Sequence, residues 1–240
     1  LDFALVRMPS SAKSIEHSEP SATSQTRRKC VFYDVAHSNN AARIRLWMRV
    51  QGGRGRRRLL EDSIETVTIG HDDLCSESYA RVNPLGKVPA FVTDAGLHLF
   101  EASVIMGYLE DRFGDDPASG GRIDGEGEGA TRGGPSLGLV PDTPDDRAFV
   151  NLLVRIHDLY IASPNCTQPS FSHTQGCMYL DPTETEFTPA SRTMDVKTRA
   201  AKAAEIFKQL GWLEGRIRRP FMAGESMTHA DLTWFPTSVF

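Results

Sequence analysis

The chain has 240 residues, 40% of them hydrophobic and 24% charged, which suits one or two ordinary globular domains. A formal net charge of −4 argues against a nucleic-acid binder, and no apolar run approaches the roughly 18 residues that a membrane-spanning helix requires. The four cysteines are widely separated, so they predict neither a disulfide framework nor a zinc ribbon. A reducing compartment, the cytoplasm, is the expected location.

Residues 1–28 are rich in serine and other polar residues without a hydrophobic period, so we expect a disordered N-terminal extension. A remnant of a transit peptide would instead place the protein in an organelle, but the acidic residues of this segment are atypical of such peptides. Because the sequence opens on Leu1 and stops at Phe240 inside an apolar segment, we expect both natural termini to lie outside it.

The next segment predicts a strand followed by a helix. Cys30–Asp34 is rich in β-forming residues, and Ser38 precedes an amphipathic helix over residues 41–50. Gly52 and its neighbouring glycine are expected to end that helix. The four arginines within residues 54–58 then predict a solvated loop rather than a binding patch.

The strands that follow complete a recognisable order. Residues 64–69 are β-branched and predict a second strand, and residues 90–93 and 97–100 predict a hairpin. A helix after Glu101 is expected to stop at Gly114. The order βαβ, a proline-containing loop, then ββα is the thioredoxin-like arrangement, here without a redox CxxC pair.

The loop Asn83–Pro89 contains two prolines and Gly86 directly before the predicted hairpin. Proline restricts the residue before it and is the residue at which cis peptide bonds occur. The sequence therefore predicts a tight functional turn with a candidate cis bond at Pro89.

The second half of the chain predicts helices. Residues 115–143 are rich in Gly, Asp and Pro and predict a linker or insertion, and a capped helix start follows at Thr143 and Pro144. We expect residues 144–240 to form an α-helical domain with a long loop, a candidate lid, over 163–195. The predicted buried face of the first helix comprises Phe149, Leu152, Leu153, Ile156 and Tyr160, and that of the second Ala200, Ala203, Phe207, Leu210 and Ile217.

A final helix start is expected late in this domain. Thr228 and Asp231 have the spacing of a capping box, and Met227 and Leu232 flank them as a hydrophobic staple. Such a cap stabilises a helix by about 1 kcal/mol, so these residues are predicted to be structural.

Four pieces of the chain, taken together and in order, resemble the soluble glutathione transferases: Ala36–Arg43, Asn83–Pro89, Glu101–Leu109 and Gly224–Pro236. The resemblance implies an α/β, thioredoxin-like glutathione-binding domain over residues 29–114, followed by an all-α C-terminal domain. The piece around Ser38 is most similar to the serine-type, phi- and theta-like classes. The Ser/Cys-rich zeta motif is absent, and the omega class would have cysteine at this position.

The resemblance implies that Ser38 is catalytic. A thiol with a pKa near 8.5 is mostly protonated at neutral pH, and lowering that pKa by about two units requires roughly 2.7 kcal/mol of preferential thiolate stabilisation. A hydroxyl and the N–H groups at a helix N-terminus contribute on this scale. The alternative is that Ser38 only caps the helix, while Tyr33 and His37 offer a competing hydroxyl and base.

The resemblance also assigns the glutathione-binding residues. Val88 would pair its backbone with the tripeptide, with Pro89 turning that backbone outward, and Lys87 would meet the glycyl carboxylate. Glu101 would meet the γ-glutamyl amine. The family commonly has serine where this chain has Ala102, a loss of about 1.5–3 kcal/mol for a hydrogen bond to a charged group. The neighbouring Ser103 is only a partial substitute, and the family's His-Lys pair is replaced by Leu74 and Cys75, with His71 nearby.

The expected activity is conjugation of the glutathione thiolate to a small electrophile, in detoxification or secondary metabolism. Glutathione would be a co-substrate, with no further cofactor, no metal, no nucleic acid and no membrane, and the family implies a homodimer. The alternatives are a non-catalytic binding or scaffold module, and a glutathione-dependent isomerase or lyase. A metal site formed by Cys166, His173 and Cys177 is weaker, because a fourth ligand is missing.

Overall fold

The computed structural model describes residues 28–70, 72–114, 138–162 and 196–239. The predictions for the N-terminal extension and for the loop 163–195, with its two cysteines and histidine, lie outside these residues. Within them, no group of three or more metal-ligating side chains is found. No helix in the same ranges combines the length and apolarity needed to cross a membrane.

The first half is the predicted thioredoxin-like unit. Its four strands lie in the order β2-β1-β3-β4, and they are β1 (Cys30–Asp34), β2 (Ile64–Thr68), β3 (Ala90–Val92) and β4 (His98–Phe100). Strands β1 and β2 are parallel, whereas β3 is antiparallel to both of its neighbours. The hairpin turn contains Gly96 at φ +85°, the conformation that glycine adopts most readily. The predicted order of elements along the chain, βαβ followed by ββα, is confirmed.

Seven helices accompany the sheet in the described residues: α1 (Asn39–Gln51), α2 (Arg57–Ser63), α3 (Glu77–Ala80), α4 (Ala102–Phe113), α5 (Pro144–Ile156), α6 (Val196–Glu214) and α7 (His229–Val239). Helix α1 packs against α4 on one side and against α7 on the other. The helix that follows the first strand is therefore in contact with both halves of the protein.

Helix α1 ends at Gln51 with Gly52 as its C-cap, as predicted, although Gly52 keeps helical dihedral angles. A short turn over Gly52–Arg56 then leads into α2. The break in helical geometry lies at Arg54 and at Gly55, which has φ +93°. Consequently the arginines predicted to form a loop belong instead to this turn and to the first residues of α2.

The core of the first half follows the alternation of β1. Phe32 is fully buried and packs with Ile44 and Trp47 of α1 and with Ile105 of α4. Tyr33 is on the opposite face, edge-on to the ring of Tyr79 at 5.8 Å between centroids. Tyr33 is thus a packing residue, as its mid-strand position suggests.

The predicted faces of the C-terminal helices are only partly correct. Helix α5 does begin with the Thr143 cap and Pro144, and Leu153 and Ile156 are buried, but Leu152 is 45% exposed. For the second predicted face, Ile217 does pack against the second core, but Phe207 is 65% exposed. That core is formed instead by Ile206 and Leu213 with Val150, Leu153 and Trp234.

The capping box of α7 is confirmed. The Asp231 carboxylate accepts from the backbone N–H of Thr228 at 2.8 Å, and the Thr228 hydroxyl oxygen accepts from Ala230 N–H at 3.3 Å. The same carboxylate also accepts from Met222 N–H at 2.8 Å, which the sequence did not indicate. Leu232 packs into the first core together with Met227, as the predicted staple requires.

A buried polar network joins α1 to the helical half. Nη2 of Arg43 lies 2.7 Å from His157 Nδ1 and 2.7 Å from Asp158 Oδ1, and His157 Nε2 lies 2.8 Å from Thr237 Oγ1. Asp158 Oδ1 also lies 3.1 Å from His157 Nδ1, but the guanidinium is closer and can only donate. We therefore assign Nδ1 as an acceptor, which makes the imidazole neutral with its proton on Nε2. Burial lowers the pKa of His157, and although Asp158 raises it, the net shift is downward.

This assignment predicts the pH dependence of folding. The unfolded histidine binds a proton near its ordinary pKa of about 6.5, before the folded one does, so His157 destabilises the fold as the pH falls below that value. Between pH 7 and 5.5 we expect the wild type to lose about 1 kcal/mol more unfolding free energy than His157→Asn does. Urea unfolding at both pH values measures this difference, and replacement of the exposed His37 by asparagine should leave the wild-type loss intact. An equal loss in His157→Asn would show that the imidazole is not buried in the neutral form.

Candidate functional site

Three segments named by the sequence meet at one end of the sheet. Tyr33 of β1 pairs with Ala90 of β3, and Ala90 pairs with Phe100 of β4. The end of β1, the beginning of β3 and the end of β4 are therefore side by side. The loop that carries Ser38, the segment Lys87–Pro89 and the start of α4 consequently lie along a common edge.

Ser38 is the N-cap of α1. It has extended dihedral angles, and its Oγ accepts from the backbone N–H of Ala41 at 3.1 Å. Ser38 therefore does cap the helix. The cap occupies one lone pair of the hydroxyl oxygen, so the O–H can still donate to a ligand. The first turn of α1 contains no acidic side chain to offset the positive end of the helix dipole.

The loop before β3 is held by buried side chains. The Lys87 carbonyl oxygen accepts from Tyr79 Oη at 2.8 Å and from Asn83 Nδ2 at 2.7 Å, while Asn83 Oδ1 accepts from Leu85 N–H at 3.0 Å. Asn83 is 1% exposed. Burial, followed by the proximity of Tyr33, raises the pKa of Tyr79 to about 12, so its hydroxyl remains a donor at neutral pH.

This anchoring presents the backbone of Val88. The Val88–Pro89 peptide bond is cis, as predicted, and Pro89 is buried while Val88 is only partly so. Within the described part of the chain, the N–H and C=O of Val88 make no hydrogen bond. Gly86 has φ +59°, and a Cβ there would lie 3.1 Å from the Leu74 carbonyl, so this turn requires glycine.

The beginning of α4 offers unpaired donors. Glu101 is its N-cap with φ +72°, and it is the one non-glycine residue with positive φ in the described ranges. Its exposed side chain makes no capping bond. The backbone N–H groups of Ala102 and Ser103 donate to no described residue, so the helix N-terminus is available to an anion. Strained backbone of this kind is concentrated at ligand-binding sites.

The remaining predicted residues contribute fewer groups to this edge. Lys87 is exposed beside Val88, and Ala102 is buried, so the hydroxyl that the family places there is absent. Leu74 and Cys75 lie in a 3-10 turn before α3, next to Gly86, and bring no cationic group to the loop. His37 is exposed in the turn before Ser38.

Two aromatic residues of the predicted buried face of the first C-terminal helix, Phe149 and Tyr160, differ in their surroundings. Phe149 packs against the second core with the Arg218 guanidinium 4.2 Å from its ring centre, whereas Tyr160 is 47% exposed. The sequence reasoning missed Asn83 as an anchor. Its position directly before Pro84 was the available signal, because asparagine in such turns commonly bonds to nearby backbone.

Comparison with known proteins agrees with the fold of the first half. Residues 32–117 match the family model described as glutathione S-transferase, N-terminal domain. No curated protein matches the chain.

Solved structures of similar fold cover most of the chain. They include a glutathione S-transferase from Pseudomonas fluorescens (19% identity, TM-score 0.57, 88% of this chain and 83% of that one) and Bombyx mori glutathione transferase BmGSTD1 (22%, 0.53, 86% and 74%). Ure2p in complex with glutathione is similar as well (13%, 0.61, 90% and 85%). These similarities show the two-part fold. Residues 32–117 therefore match a glutathione S-transferase N-terminal domain, within a chain that has the fold of these structures.

Proposed function

We propose that the protein is a glutathione transferase that conjugates the glutathione thiolate to a small electrophile. The observation that carries the proposal is the common edge of the sheet. There the hydroxyl of the α1 N-cap, the unpaired backbone groups of Val88 and the unpaired N–H groups of α4 lie side by side. These are the three kinds of group that a peptide bearing a thiol and carboxylates requires.

The chemistry follows from Ser38. Its O–H would donate to the sulfur of bound glutathione, with the positive end of α1 directed at the same position. Both interactions favour the anion over the thiol, so the bound thiol would lose its proton at neutral pH. The thiolate would then attack the electrophile, forming a carbon–sulfur bond as the leaving group departs with its electron pair.

Binding would rest on main-chain contacts. Val88 would pair with the cysteinyl part of glutathione as one strand pairs with another. The γ-glutamyl carboxylate would accept from the N–H groups of Ala102 and Ser103, and its amine would meet Glu101. Lys87 would meet the glycyl carboxylate. The complex of Ure2p with glutathione, a structure of the same fold, supports this choice of tripeptide.

A non-catalytic glutathione-binding or scaffold module is the second candidate. Its support is specific: Ala102 supplies no hydroxyl to the γ-glutamyl carboxylate, and Leu74 and Cys75 stand where a His-Lys pair would be. Each missing contact lowers the affinity for glutathione without changing the fold. The serine-type class, the reducing cytoplasmic location and the homodimer remain part of the proposal.

Calorimetric titration with millimolar glutathione, together with turnover of a chloronitrobenzene, separates these candidates. Uptake with turnover supports the transferase, and uptake without turnover supports the binding module. Absence of uptake by the full chain would overturn both.

The anchor of the loop gives a sharper version of the same titration. Asn83→Ala removes one of two donors to the Lys87 carbonyl and frees Leu85 N–H, so the Val88 backbone loses its fixed position. We expect about tenfold weaker glutathione binding, because the free energy of a hydrogen bond to a buried group corresponds to about a tenfold change in affinity. Arg81→Ala, a 79% exposed side chain two residues earlier, is the matched control and should bind like the wild type. Equal affinities for the two variants would remove Asn83 from the site.

A further inference from the structure

The Arg45 side chain reaches back from α1 to the loop that carries Ser38. Its Nη1 donates to the carboxylate of Asp34 and to the Val35 carbonyl at 3.3 Å, and its Nη2 donates to the Ala36 carbonyl at 3.0 Å. One guanidinium therefore holds three consecutive residues between β1 and α1.

The Val35 carbonyl links Arg45 directly to the site. The same oxygen accepts the backbone N–H of Ser38 at 2.9 Å. The bond that closes the turn around Ser38 thus shares its acceptor with Arg45. Loss of the guanidinium would release the Val35 and Ala36 carbonyls together, and with them the path of the chain into α1.

The anchor of this arrangement is Asp34. Its carboxylate is buried, and its backbone carbonyl accepts from Ile69 N–H at 2.9 Å, so it is fixed to the sheet. The Arg45 side chain is 33% exposed and is absent from the hydrophobic core. Its removal disturbs the loop and also leaves the buried Asp34 carboxylate without its partner, whereas a lysine at this position keeps that pair. A charge-assisted, forked contact of this kind gives geometric precision that a single ammonium does not.

We propose that Arg45 is a positioning residue for the thiol-activating hydroxyl. The inference rests on the proposed function: the guanidinium holds Ser38 where its O–H meets the glutathione sulfur, although Arg45 does not touch the tripeptide itself. A displacement of about 1 Å at such a donor is enough to lower the rate strongly.

The test compares Arg45→Gln and Arg45→Lys with Arg49→Gln, which alters an exposed arginine one turn further along α1. The thiolate of bound glutathione is titrated by its ultraviolet absorbance, alongside kcat and KM. For Arg45→Gln we expect the pKa of the bound thiol to rise by about one unit and kcat to fall about tenfold, with KM for the electrophile unchanged. Arg45→Lys should recover part of both effects, because lysine keeps the Asp34 pair but loses the fork. The Arg49 variant should match the wild type.

A second measurement needs no glutathione. Hydrogen exchange at the Ser38 amide should be faster in Arg45→Gln than in Arg49→Gln, because the Val35 carbonyl that accepts its hydrogen bond is no longer held in place by Arg45. Failure of the wild type to take up glutathione would contradict the proposed function, whereas this exchange difference would still support the positioning of Ser38 by Arg45. If the bound thiol pKa and the Ser38 exchange are the same in both variants, Arg45 has no positioning role.

Discussion

Replacing Ser38 by alanine is expected to lower turnover at least tenfold while the protein stays folded. The variant loses the O–H that would stabilise the developing thiolate, an effect of more than about 1.4 kcal/mol on the transition state. The pKa of bound glutathione should rise toward that of the free thiol. Measurement of kcat/KM against pH, with ultraviolet titration of the bound thiol, reports both changes.

The capping role of Ser38 requires its own control. Thr143 caps α5 with the same contact, its Oγ1 accepting from Asp146 N–H at 3.1 Å. Thr143→Ala and Ser38→Ala should therefore lose a similar unfolding free energy, about 1 kcal/mol. Only Ser38→Ala should lose activity, and Ser38→Thr should recover it because it retains the hydroxyl. If Ser38→Ala keeps full turnover and shows only the stability loss, Ser38 is a helix cap and nothing more.

The features that could be predicted from the sequence are those set by neighbouring residues. The caps at Ser38 and Thr143 and the box at Thr228 and Asp231 each depend on groups three positions apart, so local chemistry determines them. Gly96 at its turn is of the same kind. The order of strands was predictable because it follows from these local elements and a recurrent topology.

The errors arose where distant packing decides the outcome. Phe207 and Leu210 fit a helical period, but the partner surface selects Ile206 and Leu213 of the same helix instead. A period shows which residues share a face, and it does not show which face is covered. The arginines after Gly52 were expected to form a loop, whereas the chain bends at Arg54 and Gly55 and then enters α2.

Glu110 is the residue that sequence reasoning overlooked most clearly. It is only 7% exposed on α4, and its carboxylate accepts from Trp47 Nε1 at 2.6 Å and from Leu139 N–H at 3.1 Å. His229 Nε2 lies 3.5 Å from Glu110 Oε2, and the backbone N–H of His229 donates to the Leu139 carbonyl at 3.1 Å. These partners come from α1, from the segment before α5 and from α7, so no local pattern indicates the contact.

The carboxylate of Glu110 is charged in this position. Burial alone would raise its pKa, but the nearby His229 imidazole and the hydrogen bonds from Trp47 and Leu139 outweigh burial and the pKa is lowered. A carboxyl with a lowered folded pKa stabilises the fold above its unfolded pKa, and this contribution is lost as the pH falls. Glu110 is therefore expected to add to acid destabilisation below about pH 4.5, the range in which an unfolded glutamate takes up a proton.

Replacing Glu110 by alanine is expected to cost about 3–5 kcal/mol of unfolding free energy, the largest stability effect predicted for this chain. The variant leaves the Trp47 indole and the Leu139 amide without an acceptor in a buried site, and each such donor costs about 1–3 kcal/mol. Urea unfolding measures the loss, and Asp111→Ala, an exposed change at the next residue of α4, is the matched control. Glu110→Gln should fall between them, since its amide oxygen keeps one acceptor but not the charge. A loss in Glu110→Ala no greater than that of Asp111→Ala would mean that this carboxylate does not help to join the two halves.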